Sequence, residues 1–160
     1  MKLSTHYALL DTPIGALKLR SNGSCLTAIE FPNQHSSMAG EQRCSDAALT
    51  ACAKQLTEYF AGDRNDFDLP IDAGGTSFQQ MVWSALADIP YGELRSYKDI
   101  ANAIGKPKAV RAVGAANGSN PLPIVVPCHR VIGSDGSLTG FSGGLAMKTQ
   151  LLTLEGALLI

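Results

Sequence analysis

Residues 96–118, SYKDIANAIGKPKAVRAVGAANG, contain two short helical patterns separated by a basic turn. Ser96 followed by Asp99 predicts a capped helix start, and Gly105 predicts the end of that helix. A second helix is predicted from Lys108 to Ala116. Two short helices joined by a tight turn that contains glycine are typical of a helix-turn-helix. The stretch therefore predicts a helix-turn-helix in the C-terminal part of the chain.

The second of these helices has mostly small side chains, apart from Lys108 and Arg111. Alanine and glycine let a backbone approach a partner closely, while one long arginine reaches beyond that surface. Between positions 95 and 130, six basic residues accompany a single acid, Asp99. Such a concentration indicates a phosphate-binding surface, with a simple solvated face as the alternative. Together with the helix pair, it favours contact with nucleic acid.

The composition of the chain limits its class. With 160 residues, 45% hydrophobic and 17% charged, and a net charge of −1, the chain is typical of a globular protein. This excludes disordered, collagen-like and coiled-coil proteins. No apolar run reaches the ~20 residues that cross a bilayer, and the N-terminus lacks an apolar signal region. We therefore expect a cytoplasmic protein without membrane contact, with free thiols at Cys25, Cys44, Cys52 and Cys128.

The N-terminal half has the pattern of a small sheet with one helix. Residues 7–31 alternate apolar and polar side chains and include the turn pair Asn22-Gly23, which predicts antiparallel strands. Ser45 is predicted to cap a helix that runs to about Phe60. The acidic segment 63–75 has the composition of a linker.

These patterns divide the chain into two domains. Residues 1–75 are predicted to form an α/β domain with its linker, and residues 76–160 a mostly helical domain. In the second domain, Asp135-Gly136 predicts a hairpin between strands at 131–132 and 138–139. That hairpin would form a wing beside the helix-turn-helix.

Residues 120–132, NPLPIVVPCHRVI, contain the strongest indication of chemistry in the sequence, with a purely structural Cys-His pair as the alternative. Cys128 has His129 and Arg130 as neighbours, and cationic groups lower the pKa of a thiol. Because adjacent residues in an extended chain point to opposite sides, His129 needs a water or a sharp bend to reach the Cys128 proton. Glu155 lies in the last turn of a predicted final helix, where a carboxylate opposes the helix dipole. This position predicts either a partner, such as a histidine that it orients, or a tolerated surface acid.

Pro127-Cys128-His129-Arg130-Val131 resembles the signature of the O6-alkylguanine-DNA alkyltransferases, the methylated-DNA–protein-cysteine methyltransferases, of the bacterial constitutive type. The similarity runs from Phe78 to Gly156 and includes Arg111-Ala112-Val113-Gly114 and Ser142-Gly143-Gly144-Leu145. The N-terminal half resembles the α/β domain of that family more loosely. The resemblance implies a ribonuclease H-like N-terminal domain and a winged helix-turn-helix C-terminal domain.

The resemblance also implies the function and the site. Cys128 would take the alkyl group from O6-alkylguanine, and from O4-alkylthymine, in double-stranded DNA and would stay alkylated. His129 and Glu155 would relay the proton. Arg111 would enter the base stack where the lesion is flipped out, and Tyr97 would press on the phosphate and donate to the departing base. The other implied site residues are Asn120 to brace the active-site turn, Lys98, Lys106 and Ser134 for DNA contact, and Ser142 and Gly143 for the base.

We expect no cofactor. Some members of the family bind zinc in the N-terminal domain, but His6, Cys25, His35 and Cys44 do not align with those ligands, so we expect no metal. A monomer is implied, with clustering along DNA left open.

Two other classes of protein are compatible with parts of the sequence. A cysteine hydrolase would use Cys128 and His129, but it needs an oxyanion hole and leaves the helix-turn-helix unexplained. A DNA-binding regulator without chemistry would need only the basic helix pair. Turnover of an ester would favour the first class, and a silent Cys128→Ser change would favour the second.

Overall fold

The computed structural model describes residues 5–138, 141 and 143–158, and the chain divides into two compact units, 1–73 and 74–160. Within the described residues, no helix is both long and apolar enough to cross a membrane.

The N-terminal unit is a four-stranded sheet with one helix. Its strands lie in the order β3-β2-β1-β4, where β1–β2 and β2–β3 are antiparallel and β1–β4 is parallel. The side chain that caps the helix is that of Asp46, which accepts a hydrogen bond from the Leu49 amide at 2.9 Å, so the prediction of Ser45 was wrong by one residue. The elements are β1 His6–Thr12, β2 Gly15–Ser21, β3 Leu26–Glu30, β4 Gln42–Arg43 and α1 Ala47–Phe60.

The acidic segment after α1 is not a free linker, contrary to the prediction from its composition. The Leu26 amide donates to the Pro70 carbonyl at 2.8 Å, and the Asp72 amide donates to the Leu26 carbonyl at 2.9 Å. These bonds attach the segment to the start of β3. Composition does not predict these bonds, because pairing between segments distant in the sequence leaves no local pattern of residues.

The C-terminal unit contains the predicted helix-turn-helix. The Ser96 hydroxyl accepts from the Asp99 amide at 3.0 Å, and the Asp99 carboxylate accepts from the Ser96 amide at 2.8 Å, which confirms the predicted capping. The second helix begins at Val110, two residues later than predicted, because Lys106 and Ala109 close a turn first. The elements are α2 Ser77–Ala87, β5 Arg95–Ser96, α3 Tyr97–Ala103, α4 Val110–Gly118, β6 Val131–Ile132 and α5 Leu145–Leu154.

The strand after the reactive stretch pairs differently from the prediction. β6 lies parallel to β5, with Val131 opposite Arg95, whereas the sequence predicted an antiparallel partner at 138–139. Thr139 lies outside the described residues. The predicted turn itself is present, because the Gly133 amide donates to the Ser137 carbonyl at 2.9 Å. The parallel pair ties the end of the reactive stretch to the start of the helix-turn-helix.

Candidate active site

The loop that leads to Cys128 is held from inside by Asn120. The Asn120 amide nitrogen donates to the Val126 carbonyl at 2.8 Å, and its oxygen accepts from the Leu122 amide at 3.0 Å. A further bond joins the Val126 amide to the Leu122 carbonyl at 2.9 Å. Between them, Ile124 is buried with a positive φ of 74°, a conformation that a β-branched residue rarely adopts. These hydrogen bonds therefore hold the loop in one conformation.

Cys128, His129 and Arg130 form a single turn of 3-10 helix and not the extended chain assumed from the sequence. The turn is closed by a bond from the Arg130 amide to the Pro127 carbonyl at 3.0 Å. Asn117 donates from its side chain to the Cys128 carbonyl at 3.4 Å. The backbone therefore bends sharply at this point, which is one of the two alternatives that the sequence left open.

The Cys128 side chain is buried, with 3% of the residue exposed. Burial raises the pKa of its thiol to about 11, while a hydrogen bond with Asn120 and the charge of Lys148 act in the opposite direction. At pH 7 only about one thiol in ten thousand is ionised at such a pKa. The free protein therefore holds a protected thiol, and reaction requires removal of its proton.

His129 and Glu155 are brought together, as the position of Glu155 in the sequence indicated. The His129 Nε2 lies 2.7 Å from Glu155 Oε2, and both side chains are buried. Burial lowers the pKa of His129, although the carboxylate acts to raise it. Because the carboxylate accepts, Nε2 carries the proton in the neutral ring. Nδ1 has no hydrogen-bond partner among the described residues and is therefore a buried proton acceptor.

Two buried cations in the site were not predicted as site residues. Arg130 pairs with Glu155 through two hydrogen bonds, and Lys148 on α5 donates from Nζ to the Val131 carbonyl at 2.6 Å. Burial lowers the pKa of Lys148, and the Cys128 thiolate would raise it. The sequence contains one signal for Lys148: it precedes Glu155 by seven residues, which is two turns on the same face of a helix.

The residues predicted to contact DNA lie on or beside the helix-turn-helix. Tyr97 is half-buried at the first residue of α3, and its ring lies about 3.9 Å from the position that a Cβ on Gly114 would take. Lys98, Lys106 and Arg111 are exposed, as is Ser134 in the turn after β6. Gly143 is half-buried just before α5, whereas Ser142 lies outside the described residues.

The described residues include no group of three or more His, Cys, Asp or Glu side chains that could hold a metal ion.

A labelling experiment tests the burial of Cys128. Brief treatment with iodoacetamide at neutral pH is expected to modify Cys44, which is exposed, far faster than Cys128 or Cys52. Burial raises the pKa of Cys52 to about 12 and that of Cys128 to about 11, and only the thiolate attacks the reagent. Peptide mass spectrometry gives the rate for each cysteine. Equal rates at Cys44 and Cys128 would contradict the burial.

The fold and the site together define a class of protein: a helix-turn-helix unit, typical of DNA binding, that carries a shielded cysteine beside a histidine–carboxylate pair. Two family models match the chain. The 6-O-methylguanine DNA methyltransferase, DNA binding domain, covers residues 77–157, and the ribonuclease-like domain of the same methyltransferase covers residues 5–73. The chain belongs to the 6-O-methylguanine DNA methyltransferase family.

Individual relatives agree with this assignment. The methylated-DNA–protein-cysteine methyltransferase of Mycobacterium tuberculosis is 50% identical over 94% of this chain and 92% of its own length. That of Methanosarcina barkeri is 46% identical over 94% of this chain and 96% of its own. A crystal structure of Mycobacterium tuberculosis OGT in complex with DNA superposes with a TM-score of 0.89, at 50% identity, over 95% of this chain and 93% of that chain.

These findings confirm the predicted family, the two-part fold and the predicted activity. The protein acts in DNA repair by direct transfer of an alkyl group from DNA to a cysteine of the protein. Neither the hydrolase nor the regulator without chemistry is favoured by any of them.

Proposed function

We propose that Cys128 is the alkyl acceptor and that it reacts once with O6-alkylguanine, or with O4-alkylthymine, in double-stranded DNA. The observation that carries this proposal is the buried cysteine on a rigid turn beside the paired His129 and Glu155. A thioether to carbon offers water no easy route to release, so each molecule is consumed by one lesion. No cofactor takes part in the step.

The step balances without an external acid or base. Cys128 Sγ attacks the alkyl carbon, the bond from that carbon to O6 breaks, and its electrons move into the guanine ring. The thiol proton passes through a water to His129 Nδ1, which is unpartnered among the described residues, and ends on the departing guanine. Glu155 orients the ring and stabilises its brief positive charge. The overall reaction exchanges the alkyl group for the thiol proton.

The remaining site residues are proposed to bind and present the lesion. Tyr97 contacts the phosphate and donates to the departing base, while Lys98, Lys106 and Ser134 contact the DNA backbone. Arg111, exposed on the small-residue helix α4, takes the place of the flipped base. Gly143 and Ser142 bind the base. Asn120 braces the turn through its bonds to Leu122 and Val126.

We further propose that residues 76–160 supply the DNA-binding and acceptor functions and that residues 1–75 support them. The protein acts as a monomer. Counting the copies bound to one long duplex tests whether monomers cluster along DNA. Because its substrate is DNA, we place it in the cytoplasm.

A mass measurement tests the proposed acceptor. Incubation with duplex DNA that contains O6-methylguanine is expected to add one methyl group per protein molecule, located on the peptide that contains Cys128. The Cys128→Ser variant should gain none, and Cys44→Ser serves as the matched control because Cys44 is exposed in the other unit. A methyl group on any other residue, or none on the wild type, would overturn the assignment.

The role of Arg111 is tested by comparing two substrates. Arg111→Ala is expected to slow repair of duplex DNA by about 10-fold or more, because base flipping costs a few kcal/mol that the arginine offsets. Reaction with free O6-benzylguanine should be almost unchanged, since that substrate needs no extrusion. Loss of equal size on both substrates would rule out the flipping role.

A further inference from the structure

Arg130, to which the proposed proton relay assigns no role, lies at the centre of a buried network around Glu155. Its Nε donates to Glu155 Oε1 at 2.8 Å and its Nη2 donates to Glu155 Oε2 at 3.0 Å, so both carboxylate oxygens are bound by one planar fork. Only 5% of Arg130 and 5% of Glu155 are exposed. Bidentate pairs of this type fix the carboxylate in one orientation.

The guanidinium is itself anchored on its other side. Its Nη1 donates to the Ile89 carbonyl at 2.7 Å, just after α2, and its centre lies 5.7 Å from the centre of the Tyr91 ring. Arg130 is therefore fixed to the segment after α2 and holds the carboxylate at the end of α5. Lysine could not reproduce this arrangement, because it has one nitrogen and no planar fork.

The fork also determines how Glu155 meets His129. Oε2 accepts from both Arg130 and His129, so the imidazole shares an oxygen whose charge is already compensated. A fully available carboxylate would stabilise the imidazolium and hold the proton on the ring. Because Arg130 balances the charge of Glu155, the carboxylate orients the His129 ring but stabilises its protonated form less.

We propose that Arg130 is a positioning residue for the alkyl-transfer step: it fixes Glu155 so that His129 stays neutral, in a single tautomer with Nδ1 free to accept a proton. This inference rests on the proposed role of Cys128 as acceptor. Among the described residues, the charged groups that act on His129 are Glu155 and Lys148 from the last helix and its end, and Arg130 from its own turn, while Cys128 precedes it in the chain and Tyr91, after α2, acts on Glu155 and Arg130. Burial and the charges of Arg130 and Lys148 lower the pKa of His129, against the effect of Glu155.

Two variants separate the charge of Arg130 from its shape. The rate of alkylation by free O6-benzylguanine is measured against pH by whole-protein mass. In Arg130→Met the lost positive charge and the freed carboxylate stabilise the imidazolium, so the acid limb of the profile should move to higher pH. In Arg130→Lys the charge remains but the planar fork is lost. The acid limb should therefore stay at the wild-type pH, while the alkylation rate falls by about tenfold or more. Arg64→Met, which breaks a partly exposed ion pair with Glu58 in the other unit, is the control and should match the wild type.

Either of two results would overturn the proposal. One is an unmoved acid limb in a folded Arg130→Met protein, which would reduce Arg130 to a packing role. The other is an Arg130→Lys protein that reacts at the wild-type rate.

A titration of the unmodified protein keeps the proposal testable even where Arg130→Met fails to fold. The chain has three histidines, so nitrogen NMR signals are assigned by removing His6 or His35 one at a time. His129 should carry its proton on Nε2 and should protonate only below the usual range for histidine. Protonation within or above that range would refute the proposal. Failure of the wild type to alkylate Cys128 would instead refute the proposed function, and the titration result would stand independently.

Discussion

Glu155→Ala is expected to lower the free energy of unfolding by about 3–5 kcal/mol, the usual cost of leaving a buried charge without its partner. Arg130 is 5% exposed and would lose two of its hydrogen bonds, and the His129 ring would lose its bond as well. Alkyl transfer should fall to background, because the ring is no longer oriented. Denaturant unfolding followed by circular dichroism measures the first effect, and protein mass the second.

A double variant identifies the cause. Replacing both partners, Glu155→Leu with Arg130→Met, removes the unpaired charge together with its partner, and buried ion pairs replaced in this way often lose no stability. The double variant should therefore unfold at a higher denaturant concentration than Glu155→Ala while remaining inactive. If the double variant were as unstable as the single one, the charge would not be the reason for the loss.

Lys148→Met is expected to slow alkyl transfer by about tenfold or more at neutral pH. The positive charge of Lys148 favours the Cys128 thiolate, and a nearby opposite charge changes a pKa by one unit or more. Methionine has a similar length but no charge, so the pKa of the thiol would rise further above about 11. Rates with O6-benzylguanine measured against pH test this, with the exposed Lys54→Met on α1 as the control.

The pH dependence separates this effect from damage to the fold. The rate deficit of Lys148→Met should shrink as the pH rises toward about 11, because burial lowers the pKa of Lys148 and the wild-type lysine then loses the charge that favours the Cys128 thiolate. A deficit that stays constant across the whole pH range would point to the lost bond with the Val131 carbonyl instead.

The parts of the fold that the sequence predicts well are those determined by neighbours in the chain. The capping pair Ser96 and Asp99 lies within one turn, and Gly105 ends the same helix with a positive φ of 73° that glycine adopts easily. The antiparallel β1–β2 hairpin is similarly local. Each of these features depends on a few adjacent residues and leaves a recognisable pattern.

The features that the sequence missed depend on residues far apart in the chain. The parallel pairing of β5 with β6 joins segments 36 positions apart, as from Arg95 to Val131. The bond from Arg130 to the Ile89 carbonyl spans 41 positions. The alternation of apolar and polar residues, and the spacing of residues within one element, do not predict such distant pairs. The 3-10 turn at Cys128 was missed because its geometry follows from the loop that Asn120 holds.

Ile124 links the rigidity of the loop to the reaction. A β-branched residue with φ at 74° costs of order 1–3 kcal/mol, and the surrounding bonds keep it from relaxing. An enzyme with many cycles must reopen its site to discharge each product, and such motion often limits its rate. A protein that keeps its product has no discharge step, so stiffness beside the sulfur carries no kinetic penalty. We therefore expect Ile124→Gly, which relieves the positive φ but removes a buried side chain, to loosen the loop and to slow methylation of the protein by damaged duplex DNA, as measured by protein mass.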